Sequence, residues 1–254
     1  MRLTLLLIGL LALPNALISS VVTISEIGLG YAQTSVNTTI FRKNSIASHG
    51  DLQYVAFYDP EGHVVLARRQ LGSDDWTVRK TEYTGNVRDA HNSISIAVDG
   101  DGILHMAWDH HGDTLRYCRS VAPGSLVLTE KTGMIGENEE SVTYPEFYSI
   151  ANGDLLFLYR DGESGRGNLV MNRYLTKEKR WKRLQTNLID GEQQRNAYWQ
   201  VYADPNSETI HLSWVWRETW DVSTNHDISY AVSYDGGETW SKSTGESYVL
   251  PITL

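Results

Sequence analysis

The stretch Asp89–Arg116, DAHNSISIAVDGDGILHMAWDHHGDTLR, decides the fold. Ser93 to Val98 alternates apolar and polar residues, Asp99-Gly100-Asp101-Gly102 is a turn cluster, and Ile103 to Trp108 alternates again. Two alternating runs around a Gly/Asp turn read as a β-hairpin. Folding about that turn brings His91 opposite His110 or His111. Cross-strand neighbours have Cβ atoms about 5 Å apart, so two imidazoles meet at one strand end and form a candidate site.

The arrangement recurs on both sides of this stretch. Tyr144 and Arg160 flank the turn Ala151-Asn152-Gly153-Asp154, and Tyr198 and Trp216-Arg217 flank Asp204-Pro205-Asn206-Ser207. Arg42 and Tyr58 flank His49-Gly50-Asp51. Each hairpin therefore carries titratable or aromatic residues at the same mouth. The second strands align as Gln53–Tyr58, Ile103–Trp108, Asp154–Tyr159 and Thr209–Trp214, with third strands at Val64–Arg68, Thr114–Cys118, Leu169–Tyr174 and Ile228–Val232. Closing strands carry Trp76, Trp181 and Trp240. A period of about 50 to 60 residues with short antiparallel strands describes propeller blades. The expected fold is all-β, a β-propeller of four-stranded antiparallel blades, with about four blades between residues 33 and 254.

Ser233-Tyr234-Asp235-Gly236-Gly237-Glu238-Thr239-Trp240 fits the pattern S-x-D-x-G-x-x-W and resembles an Asp-box (BNR) motif. In such a motif the Asp caps a turn, Gly takes the strained position and Trp packs between strands. Its role is structural. Leu71-Gly72-Ser73-Asp74-Asp75-Trp76 is a decayed form. The segment Leu250–Leu254 reads as the start of a further blade, and the chain is expected to be a fragment of a larger propeller, its repeats an open arc.

The 254 residues carry a formal net charge of -9, which argues against a general nucleic-acid partner. A local cluster of Arg and His can still receive an anion. Cys118 is the single cysteine, so an internal disulfide is excluded and a cysteine-based zinc site is not expected. The start, MRLTLLLIGLLALPNALISSVV, reads as an export signal, with Arg2 as the basic region and Leu5 to Leu13 as the apolar run. Residues 1–32 are taken as signal and leader. No other stretch is apolar enough to span a bilayer, so the mature protein is expected to be exported, periplasmic or secreted, without a membrane partner. Gly28-Leu29-Gly30 lacks the strand–helix setting of a nucleotide motif.

Six segments carry a family resemblance: RDAHNSISIAVDGDG (Arg88–Gly102), WDHHG (Trp108–Gly112), VTYPEF (Val142–Phe147), LYRDG (Leu158–Gly162), QRNAYWQ (Gln194–Gln200) and SWVWRET (Ser213–Thr219). From about Asn44 onward the chain resembles exported BNR-repeat proteins, a group that includes the propeller-type ulvan lyases. The resemblance implies a seven-bladed propeller, of which roughly the first four blades are present. It implies β-elimination on a uronic-acid-containing anionic polysaccharide. It also implies His91, His111, Tyr144 and Arg160 as the catalytic set, with Tyr198 as a substrate-contacting aromatic.

Elimination needs a cation on the uronate carboxylate, a base for the C5 hydrogen and an acid for the leaving oxygen. Arg160 suits the carboxylate through its guanidinium fork, and His111 adds a second donor. His91 suits the base and Tyr144 the acid, or Tyr144 the base if a nearby Arg lowers its pKa. Arg217, His110, Asn92 and Arg42 complete the expected substrate-binding set. No cofactor is expected, although a structural metal ion is left open. One metal held by both His110 and His111 is disfavoured, because adjacent strand residues point to opposite faces. The bland readings are specific too. His105 and His211 lie inside alternating strands and read as ordinary packed or exposed residues. Tyr144, held extended by Pro145, could be a blade-packing aromatic, and Arg160 a local ion pair with Asp161. Two other functions fit a propeller: a sialidase-like glycoside hydrolase, whose first Arg motif Phe41-Arg42-Lys43-Asn44 faintly resembles but without its Ile-Pro, and a non-catalytic glycan-binding propeller with Trp108, Trp199 and Trp216 as platforms.

Overall fold

The computed structural model describes residues 23–34 and 44–254. The export signal and Arg42 lie outside the described residues. Blade 1 is a sheet of β1 (Ile46–His49), β2 (Leu52–Tyr58), β3 (His63–Gln70) and β4 (Thr77–Thr84) in sequential antiparallel order. Blade 2 begins with β5 (Ile94–Val98) and β6 (Leu104–Trp108), paired Ile94 to Trp108 through Val98 to Leu104, the register the turn cluster implies. The chain then makes the short β7 (His111–Asp113), which leaves blade 2, and returns to it as β8 (Tyr117–Arg119). Blade 3 holds β9 (Val142–Ser149), β10 (Leu155–Glu163), β11 (Arg166–Leu175) and β12 (Arg180–Ile189), with β7 added on the β9 side. Blade 4 holds β13 (Asn196–Ala203), β14 (Ile210–Arg217) and β15 (Asn225–Ser233).

Two strands depart from the periodic pattern. The third strand of blade 2 is only Tyr117–Arg119, because His111–Asp113 pairs with blade 3 instead. Trp240 sits in no strand; the closing segment of blade 4 is reduced to an isolated bridge between Val232 and Ser241.

Burial explains why the blades stack. Every residue of β5 and β6 is buried, although their sequences alternate. Successive side chains point to opposite faces, so one face meets blade 1 and the other blade 3. Ile96, Met106 and Trp108 join Tyr54 and Leu66 in one core, while Ala97, Ala107 and Tyr117 join Phe147, Phe157 and Trp181 in the next. A third core places Leu156, Leu158 and Met171 against Trp199, Leu212 and Trp214. In β14 only alternate residues are buried, so blade 4 has one covered face. Contacts run from β1 to β5, β5 to β9 and β11 to β13, and none of comparable extent joins blade 4 to blade 1 among the described residues. The blades thus form an open arc. Ala47 of β1, Ala97 of β5, Phe147 of β9 and Ala203 of β13 line one cleft shared by the first strands of the four blades.

Residues 23–34 run along blade 1. The Tyr31 N–H donates to Tyr58 O at 2.8 Å, and Ser25 Oγ accepts from both Arg69 and Trp76 at 3.1 Å.

The expected tryptophan platforms are core residues. Trp108, Trp199 and Trp216 are all buried, because each sits on a face that a neighbouring strand or blade covers. His105 is buried as expected, with Asp99 Oδ2 at 3.1 Å on one nitrogen and the Tyr117 hydroxyl at 2.8 Å on the other. His211 is half-buried beside Tyr230. The Asp-box forms as a clasp: Asp235 accepts from Ser233 Oγ, Thr239 N and Thr239 Oγ1, and Trp240 Nε1 donates to Gly237 O. Gly237 has φ +99°, which a side chain rarely adopts. His110 is fully buried rather than facing substrate, and its Nε2 accepts the Arg116 N–H at 2.8 Å. Burial and the nearby Arg116 charge hold its pKa down at about 3.

Asp235→Ala removes three accepted hydrogen bonds from the closing turn. It should destabilise the fold by about 1–3 kcal/mol in urea unfolding, whereas Tyr234→Ser at the exposed neighbouring position should not. His110 binds fewer protons folded than unfolded between about pH 3 and 6.5. Its contribution is complete above the unfolded pKa and is lost as pH falls. Moving from about pH 7 to 5 should therefore cost wild type about 2 kcal/mol more than His110→Gln, measured as the difference in unfolding free energies.

Candidate functional site

Three local features bring the hairpin mouths together. The turn Val87–His91 precedes β5 and is pinned by side chains: Asn86 Oδ1 accepts the Arg88 N–H at 3.1 Å, and Asp89 Oδ1 accepts the His91 N–H at 2.9 Å. Next, β7 carries His111 across to β9, where His111 pairs with Thr143 and the Gly112 N–H donates to Thr143 Oγ1 at 2.8 Å. Third, β9 bulges against β10 between the partners of Leu158 and Arg160, where Tyr144 and Pro145 together oppose Tyr159. Tyr144 has φ +57°, contrary to the extended backbone expected before Pro145. A bulge inserts an unpaired residue and re-aims its side chain, and here tertiary pairing on both sides of β9 outweighs the local preference.

The result is a contiguous cluster. The His91 and His111 rings stack with centroids 3.8 Å apart and planes 20° from parallel. Tyr144 lies 5.6 Å from the His91 ring, centroid to centroid. The Arg160 guanidinium sits 5.2 Å from the Tyr144 ring centroid, and its Nη1 donates to the Tyr198 hydroxyl at 3.5 Å. The Arg217 guanidinium covers the Tyr198 ring at 3.8 Å, while its Nε donates to Asn225 at 2.6 Å. Ser164 Oγ lies 3.0 Å from the Tyr198 hydroxyl.

Depth varies across the cluster. Arg160 and Tyr144 are buried, at 3% and 9% exposure. The side chains of His91 and His111 are 38% and 40% exposed. Burial alone would raise the Tyr198 pKa, but the Ser164 hydrogen bond and the Arg160 and Arg217 charges outweigh it, and the phenol is shifted below its ordinary value. Asp161, next to Arg160 in sequence, accepts from Asn138 Nδ2 at 3.1 Å.

Of the expected site residues, His91, His111, Tyr144, Arg160, Tyr198 and Arg217 come together. Asn92 does not present itself to the cleft: it is 4% exposed and its Nδ2 donates to Asn86 O at 3.3 Å, supporting the turn. His110 points inward, as described above, and Arg42 lies outside the described residues.

Three participants escaped the sequence reading. Asp89 reaches both histidines, with Oδ1 2.6 Å from His91 Nδ1 and Oδ2 2.7 Å from His111 Nδ1. Its signal was the Asp-x-His spacing, which lets an Asx turn form. Ser164 has no pattern that marks it. Gly167 leaves room for the Arg160 stem: a Cβ there would lie 2.6 Å from Arg160 Cγ and Cδ. Metal-ligating geometry exists in two places. Asp89, His91 and His111 offer ligand atoms within 4.8 Å of one another, as do Asp59, Glu61 and His63. In the second group Lys80 already bridges both carboxylates, with Nζ 2.9 Å from Asp59. In the first, near-parallel rings do not aim at one point.

Among the described residues no helix is long and apolar enough to cross a membrane. The sequence is 24% identical over 291 residues to a long-isoform ulvan lyase of Alteromonas sp., covering 88% of this chain and 29% of that protein. It is 26% identical over 232 residues to a short-isoform ulvan lyase of Alteromonas sp. (strain LOR), covering 68% and 43%. The chain therefore spans less than half the length of either relative. Its structure superposes on the crystal structure of polysaccharide lyase Uly1 with a TM-score of 0.73 at 20% identity, over 92% of this chain and 61% of that one. It superposes on a PL25 ulvan lyase bound to -[GlcA(1-4)Rha3S]- with a TM-score of 0.68 at 15% identity, over 90% and 58%. These likenesses show the propeller fold. A family model described as BNR repeat-containing family member matches residues 52–254, and this chain belongs to that family.

Proposed function

We propose that the protein is a polysaccharide lyase that cleaves a uronic-acid-containing, ulvan-like polysaccharide by β-elimination. The observation that carries this reading is the convergence of a buried arginine, a tyrosine and a stacked histidine pair at one mouth. These are the groups the elimination requires, and they are contributed by two successive hairpins, β5–β6 and β9–β10. The sequence likeness to ulvan lyases supports the same reading.

In this mechanism the Arg160 guanidinium receives the uronate carboxylate. Neutralising that carboxylate makes the C5 hydrogen acidic. His91 Nε2 takes the C5 proton, the C4–O bond breaks, and C4=C5 forms. The departing oxygen takes the Tyr144 hydroxyl proton; solvent then returns a proton to Tyr144 and removes the one held by His91, whose side chain is solvent-exposed. Arg217 and Tyr198 flank the sugar. Arg160 and Arg217 supply local positive charge against the -9 of the whole chain, so an anionic polymer is attracted to this mouth in particular. A substrate of that size is met outside the cell, in keeping with the apolar, export-type leader.

Purified protein incubated with ulvan should generate the ultraviolet absorbance of an unsaturated uronate. Release of free sialic acid, or binding without turnover, would instead favour a hydrolase or a lectin-like propeller. His91→Ala should lower kcat by about 10²- to 10⁴-fold while polymer binding persists. Turnover within about 3-fold of wild type would remove His91 from the mechanism. Arg160→Lys keeps the charge but loses the two-pronged contact, so it should weaken both KM and kcat.

A further inference from the structure

We propose that Asp89 is a positioning residue that holds His91 and His111 as a matched pair, each with its Nδ1–H on the Asp89 carboxylate and its Nε2 presented to the cleft. This rests on the lyase reading for its consequence, but its geometry stands apart from it. Each carboxylate oxygen takes one ring: Oδ1 lies 2.6 Å from His91 Nδ1 and Oδ2 2.7 Å from His111 Nδ1. Asp89 is in turn fixed by the His91 backbone N–H at 2.9 Å.

An ionised carboxylate accepts and cannot donate. Burial would raise the Asp89 pKa, but the His91 N–H and the two imidazoles outweigh it and hold it near about 2, so it stays ionised across the working range of the enzyme. Both Nδ1 atoms must then carry hydrogen. A neutral imidazole with Nδ1–H leaves its lone pair on Nε2. One carboxylate therefore sets two tautomers at once, and both rings turn the same reactive edge away from Asp89. The 3.8 Å stacking follows, since two rings hung from one carboxylate lie side by side. The same stacking argues against a metal centre. A metal ion needs both donor nitrogens in ring planes that meet at the ion, and these planes are 20° from parallel.

Asparagine at this position supplies one acceptor and one donor. One ring can keep its Nδ1–H, but the other must accept at Nδ1 and carry its proton on Nε2. Long-range ¹H–¹⁵N spectra of the imidazoles at about pH 8, above the ordinary imidazole range, read this directly, with assignments from His91→Gln and His111→Gln. The expected wild-type result is the Nδ1–H tautomer for both. In Asp89→Asn one of the two should convert to Nε2–H. With ulvan as substrate, kcat of Asp89→Asn should fall by about 10²- to 10⁴-fold, as when a catalytic histidine is held in the wrong tautomer. KM should stay within about 3-fold, and Asp89→Glu should recover part of kcat. A wild-type spectrum with either ring as Nε2–H overturns the proposal. So does an Asp89→Asn protein with both tautomers and kcat unchanged, or a stoichiometric Co²⁺ absorption band that Asp89→Asn abolishes. If wild type releases no unsaturated product, the lyase reading fails while the tautomer spectra still decide the role of Asp89.

Discussion

A blade has two apolar faces and can cover neither by itself. That constraint orders everything else in this chain. β5 and β6 are buried on both faces because blades 1 and 3 enclose them, and β14 is buried on alternate residues because only one neighbour is present. Covered faces lock each blade in register with the next, and locked blades bring equivalent loops to one side. The site is thus a consequence of core packing: residues far apart in sequence meet because the hydrophobic cores between blades leave the hairpin mouths no other place to go.

Two local devices convert that coarse convergence into contact. β7 leaves its own blade to pair with β9, and the bulge at Tyr144 turns that side chain out of the ladder. Each sacrifices regularity: blade 2 is left with a three-residue third strand, and Tyr144 adopts a positive φ. Departures of this kind concentrate where a scaffold is bent to hold a site. At this mouth they coincide at the histidine pair and Tyr144 and bring those rings together.

The strongest periodic signals were legible in the sequence. The Asp99–Gly102 turn fixed the β5–β6 register, and that register placed His91 against His111. The Asp-box could be read residue by residue, because its clasp is local and uses fixed spacing. What could not be read depends on the third dimension. Alternation in β5 suggests one exposed face, since a sequence does not say whether a second blade covers it. For the same reason Trp108, Trp199 and Trp216 passed for platforms, and His110 and Asn92 for surface groups. Tyr144 misled because the rule for a residue before proline is local, whereas the bulge is imposed by pairing across β9. Asp89 sat in plain view, but only its reach to a histidine on another strand gives it meaning.

The gradient of burial across the cluster has a physical logic for the proposed elimination. Arg160 is buried among aromatic rings, with Gly167 leaving space for its stem. A guanidinium held there has few conformations left to lose when it meets a carboxylate, and the low local dielectric strengthens that meeting. The histidines stand nearer the rim, about 40% exposed, where solvent can carry protons to and from them. A uronate entering carboxylate-first would therefore be anchored in the interior while its C5–H remains at the level of the rings. An exposed histidine, however, is free to rotate, and proton transfer tolerates little misplacement. The side chain that offsets this freedom must bind the rings on the edge away from substrate, and Asp89 is the carboxylate that occupies that edge for both.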